Sequence, residues 1–128
     1  MAGRIDFKHD KIHDIIVATP HWNLESEADL DTWYGQYVTY MKQFNRKMDF
    51  VVVLDDFNVG PSVGPRWGEY RAKIHKEFIR YNYRVHPNSR VKLFTNTSGV
   101  RYDVSREEAA SVADAVEGIL AARKRDGL

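Results

Sequence analysis

The chain has 128 residues, 43% hydrophobic and 29% charged, with a formal net charge of +1 and no cysteine. That is the length of one ordinary domain, apolar enough to bury a core and too evenly charged to stay disordered. The lack of cysteine excludes disulfides, thiolate metal sites and cysteine nucleophiles, and the near-neutral balance supplies no global field to draw in nucleic acid.

Arg4 to Phe7 reads as a short strand with alternating faces. The polar run Lys8 to Lys11 turns the chain into a second strand, Ile12 to Thr19, closed by Pro20, and the simplest pairing of the two is an antiparallel hairpin. Leu30, Trp33, Tyr34, Tyr37, Val38, Met41 and Phe44 recur at steps of three and four, which predicts an amphipathic helix from about Ala28 to Asn45 with Ser26 as its N-cap. The aromatic stripe of that helix is expected to pack on a sheet. Asp49 to Leu54 is a nearly continuous apolar run, the pattern of a strand covered on both faces of a parallel sheet, and far too short to cross a bilayer.

Past Asp55, Asp56 and Asn58, Pro65 suits the first turn of a second helix that buries Trp67, Tyr70, Ile74, Phe78 and Tyr81 and ends at His86, before Pro87. Eight basic residues against Glu69 and Glu77 between Arg66 and Lys92 give this stretch the strongest charge cluster of the chain. Val91 to Thr95 is expected as a buried strand and Val100 to Val104 as a short edge strand. Ser105 to Glu108 reads as a capping box opening a last helix, with Arg123, Lys124 and Arg125 at its negative end. The result is a single α/β domain over residues 1–128 in the order β-β-α-β-α-β-(β)-α. Its sheet has four or five strands, mostly parallel, with an antiparallel N-terminal edge strand and three main helices around it.

Met48-Asp49-Phe50-Val51-Val52-Val53-Leu54-Asp55-Asp56-Phe57, then Val91 to Thr95, then Val100 to Ala109 occur in this order, and the succession resembles the SpoIIAA-like fold of STAS domains and of STAS-like bacterial proteins related in fold to Sec14 domains. The resemblance implies a regulatory or scaffold domain without enzymatic activity. Members switched by phosphorylation carry an Asp-Ser pair after the buried strand; here Ser62 is the one hydroxyl near that position and no aspartate precedes it.

In open α/β sheets ligands sit beyond the carboxyl ends of the strands. That rule collects a rim of His21, Trp22, Asp55, Asp56, Asn58, Thr95 and Asn96. The basic helix with its preceding loop offers Ser62, Arg66, Arg71, Lys73, Lys76 and Arg80 to an acidic partner surface. His9, Asp10, His13 and Asp14 match no recognised metal-ligand spacing, so neither metal nor cofactor is expected, and His75 and His86 read as surface residues. Three functions follow in order of weight: a regulatory domain binding a protein partner, a binder of a small lipid or phosphorylated metabolite, and an enzyme using Asp55, Asp56 and His21. The N-terminus lacks the apolar core of a signal peptide, so a cytoplasmic location is expected, with homodimerisation through an edge strand or aromatic surface open. The helical spacing turns Trp67, Tyr70 and Tyr81 inward and leaves Tyr83 beside the cations, which argues against nucleic acid.

Overall fold

A computed structural model of the chain describes residues 3–86 and 107–128. The elements are β1 (Arg4–Asp10), β2 (Ile15–Leu24), α1 (Glu27–Met41), β3 (Met48–Val53), β4 (Phe57–Val59), α2 (Gly64–Phe78), β5 (Ile79–Val85), β6 (Glu108–Ala109) and α3 (Val112–Arg125). Among the described residues the strands run β1-β2-β3-β5-β6 across the sheet, with β4 also paired to β2. The β1-β2 pair is antiparallel and every other pair is parallel. The architecture is therefore α/β with three described helices around a mixed sheet.

β3 is the central strand of that order, as its apolar run implies. Met48, Phe50 and Leu54 pack into one core with residues of α1 and α2, whereas Val51 joins Ala115 and Ile119 of α3. Side chains alternate across a strand, so this split means that helices cover both faces. The β2-α1-β3 and β3-α2-β5 crossovers step across the sheet in the same direction. Crossovers of one hand then put α1 and α2 on the same face. The N-terminus of α1 forms as expected: Ser26 accepts the Asp29 N–H at 3.1 Å and the Asp29 carboxylate accepts the Ser26 N–H at 3.2 Å.

Several boundaries differ from the sequence expectation. β2 does not stop at Pro20 but runs to Leu24. Its residues 15–18 pair with β3 and residues 22–24 with β4, so Pro20 falls between two parallel partners. Opposite it, Ile5 turns its N–H away from β2 to Gln36, so the Ile5–Pro20 pair exchanges no ladder bond and the missing N–H costs nothing there.

The second helix ends at Phe78 rather than near His86, and Ile79 to Val85 form β5 against β3. The three- and four-residue spacing of aromatics carries on through Tyr81 and hides the alternation Tyr81-Asn82-Tyr83-Arg84-Val85, which a strand with one polar-lined face satisfies. The last helix opens at Ser111, whose hydroxyl accepts the Asp114 N–H at 3.1 Å; Glu108 lies in β6, so the expected capping box does not start it. The strands expected at Val91 to Thr95 and Val100 to Val104, with Ser105, lie outside the described residues.

Candidate functional site

The face of the sheet that carries α1 and α2 holds a cavity of about 40 Å³. Since a water needs about 10–15 Å³ of such space, the cavity accepts a few waters or one small ion. Trp33 and Tyr37 of α1, Trp67, Arg71, Ile74 and His75 of α2, and Asn82 and Arg84 of β5 line it together with Pro20 and Leu54. Helical spacing delivers the α2 group, because 67, 71, 74 and 75 lie on one face. Strand alternation past the register shift delivers Asn82 and Arg84, which turn toward α1 and α2 while Tyr81, Tyr83 and Val85 pack with α3.

This lining is unusual chemically. Arg71 and Arg84 are 5% and 2% exposed, and Trp33 and Trp67 are 4% and 3% exposed. Both indole N–H groups are buried with no hydrogen-bond partner among the described residues. Arg84 reaches Glu108 at 3.3 Å, and no carboxylate is among the described lining residues. Burial, with the neighbouring Arg84 charge, pulls Arg71 down to about 9, which leaves it protonated at neutral pH. Burial pushes His75 down to about 3, and the charges of Arg71 and Arg84 add to the effect, so its imidazole is neutral. The cavity thus gathers cationic and neutral donors inside an apolar wall.

The strand-end rim assembles only in part. His21 on β2 bonds Asp56 at 2.8 Å through Nδ1 and Asp6 at 3.1 Å through Nε2, so both ring nitrogens are engaged. Asn58 donates to Asn23 at 3.1 Å across the β2-β4 pair. Trp22 is buried in the core, and Asp55 stands exposed in the turn after β3. Of the Asp55, Asp56 and His21 set expected for an enzyme, only Asp56 and His21 meet, because the chain turns after Leu54 to send β4 alongside β2. Asp6, absent from the sequence reading, joins through β1. Thr95 and Asn96 lie outside the described residues.

The six residues expected on a partner surface do not share one. Ser62, Arg66, Lys73 and Lys76 are exposed, Ser62 in a turn that leaves the helix start uncapped by a side chain. Arg66 is paired with Glu69 and lies over the Tyr70 ring. Arg71 faces the cavity, and Arg80 belongs to β5, where it binds Asp49. Tyr83 leaves the cations and packs on α3 at Gly118, where a Cβ would stand 2.6 Å from its ring.

Asp49 has its side chain fully buried on the α3 side of β3. Arg80 contacts its two oxygens at 2.9 and 2.7 Å, Arg123 donates at 2.7 Å, and the Tyr81 N–H at 3.2 Å fills the ladder where the β3-β5 register shifts. Burial pushes this carboxyl up, but the hydrogen bonds from Arg80 and Arg123 outweigh it and hold the group below its ordinary range. The four residues doubted as metal ligands pair within the β1-β2 turn instead, His9 with Asp14 at 2.9 Å and His13 with Asp10 at 2.8 Å.

Trp33, Tyr37 and Trp67 thus serve the cavity wall as well as the core, His75 lies on that wall rather than on the surface, and Asn82 and Arg84 belong to β5 rather than to the helix expected to reach His86. A signal was present: polar residues at alternate positions between aromatics mark a strand with one lined face. No helix among the described residues is long and apolar enough to cross a membrane. No family model matches the chain, and no curated protein does.

Proposed function

We propose that the protein is a binding domain for a small anion, a carboxylate or phosphate, alone or as the head of a metabolite, held in the cavity between α1, α2 and the sheet. The observation that carries this reading is the pair of buried indole N–H groups of Trp33 and Trp67, without partners among the described residues, on the wall of one cavity. A buried donor without an acceptor costs about 1–3 kcal/mol, so two in one place are a standing demand for an acceptor. The guanidiniums of Arg71 and Arg84 give the same wall a preference for negative charge, and the neutral ring of His75 stands beside them. The reading is favoured over docking of an acidic partner because Arg71 is buried and Arg66 is already paired.

The test is a thermal unfolding series with inorganic phosphate, acetate and chloride at equal ionic strength, alongside native mass spectrometry of the full chain. The reading predicts a retained small anion or a saturable rise in Tm with phosphate or acetate over chloride. At 100-fold excess over Kd the stabilisation is about 2.7 kcal/mol. No retained mass and identical melting in all three salts would contradict it.

A further inference from the structure

We propose that two copies of the chain join through their β1 strands, antiparallel about a two-fold axis at Phe7, so that one sheet continues through both. Among the described residues β2 is the one strand paired with β1, which leaves the other side of β1 as a sheet edge. The outward main-chain groups of that edge are at odd positions. Ile5 donates its N–H to Gln36 Oε1 at 2.9 Å, and the Gly3 carbonyl accepts from Gln36 Nε2 at 3.5 Å. Antiparallel self-pairing must therefore set odd residues opposite odd residues.

Charge then selects one register. With Phe7 opposite the partner's Phe7, Arg4 faces the partner's Asp10 and Asp6 faces the partner's Lys8 on the other face of the strand. A shift of two residues one way sets Lys8 against Lys8 and Asp6 against Asp10. The opposite shift sets Asp6 against Asp6 and Arg4 against Lys8. Among the registers that pair most of β1, the Phe7-centred one alone opposes unlike charges throughout, and it gives an acceptor to Lys8, which forms no ion pair among the described residues of the single chain.

The flank of α1 fits the same occupant. Phe7 stacks on Tyr40 at 4.2 Å, and these rings with Thr32, Gly35, Gln36 and Thr39 line an open depression beside the edge. A Cβ built at Gly35 would meet nothing within 4 Å, so the helix can be approached closely there. The two-fold axis sets this face of α1 toward its own copy. Ile5 then passes its N–H from Gln36 to the partner's His9 carbonyl, an exchange of one acceptor for another.

Sedimentation equilibrium on the full chain tests this. At about 100 µM the wild type is expected at dimer mass. Asp6→Lys sets lysine against Lys8, and Lys8→Asp sets aspartate against Asp6; each is expected to raise the dissociation constant about tenfold or more. The double variant D6K/K8D restores opposite charges and the dimer. An equimolar mixture of the two single variants forms a heterodimer, which also shows that both remain folded. A monomeric wild type, single variants that dimerise as well as wild type, or a failure of both the double variant and the mixture to associate would overturn the proposal.

Discussion

Two groups of buried charge flank β3, and they are finished to different degrees. On the α3 side the buried carboxylate and the guanidinium of Arg123 are fully partnered: Asp49 takes Arg80, Arg123 and the Tyr81 N–H, and Arg123 spends its remaining donors on the carbonyls of His13 at 2.6 Å and Asp14 at 2.9 Å. This closed network ties β3, β5, α3 and the β1-β2 turn together. On the α1-α2 side, Arg71, Arg84 and His75 surround a cavity whose two tryptophan N–H groups have no acceptor among the described residues. Saturation is the mark of a structural ion cluster, and leftover donors around empty space are the mark of a ligand site.

The largest expected difference is in stability. Asp49→Ala removes the anion from two buried or half-buried guanidiniums, and loss of one side of such a pair costs about 3–5 kcal/mol. Urea unfolding should show that loss; a change below about 1 kcal/mol would mean that the network is ornamental and the contrast false.

Acid should act next, and through the other group. His75 in the native state titrates at about 3 against 6.5 in the unfolded chain. Between those values the unfolded state binds the extra proton, so stability is full above pH 6.5 and falls as the pH drops toward 3. Down to pH 4 the loss is at most about 3 kcal/mol, less for a ring that is half-buried. Asp49, held below its ordinary 3.8, begins to contribute only at lower pH. A His75→Leu chain should show a flatter profile between pH 6.5 and 4, and an unchanged slope would remove His75 from the cavity chemistry.

Gly118→Ala probes the packing between β5 and α3. The new methyl meets the Tyr83 ring at 2.6 Å, and such overpacking costs about 1–3 kcal/mol, partly offset by the better helix propensity of alanine. The smallest stability change is expected from Trp67→Phe. The lost ring area and the relieved unpaired N–H oppose one another, which leaves about 1 kcal/mol or less, while the response to phosphate or acetate disappears. A loss of several kcal/mol would show instead that the indole is a structural donor.

The fold was legible where one period rules a segment. Phe50 to Leu54 carries no interior polar residue, so it reads as the doubly covered strand that it is, and the α1 stripe with Ser26 reads as a capped helix. β5 was not legible because α2 passes into it without a loop, so the spacing of Trp67, Ile74 and Phe78 extends by accident to Tyr81. With that boundary misplaced, Asn82 and Arg84 looked like a solvated helix face, although the sheet directs them inward. The candidate site suffered most, since its donors come from α1, α2 and β5 and meet only through tertiary packing. Asp49 and Arg123 are likewise 74 positions apart, beyond any local pattern.

The chain's three tryptophans allow one direct measurement of the indole N–H signals during an anion titration. Trp22, which is not part of the cavity wall, serves as the internal control. The account predicts that phosphate or acetate shifts the Trp33 and Trp67 signals saturably and leaves Trp22 in place. If none of the three moves, or all three drift together with salt, the cavity is not an anion site.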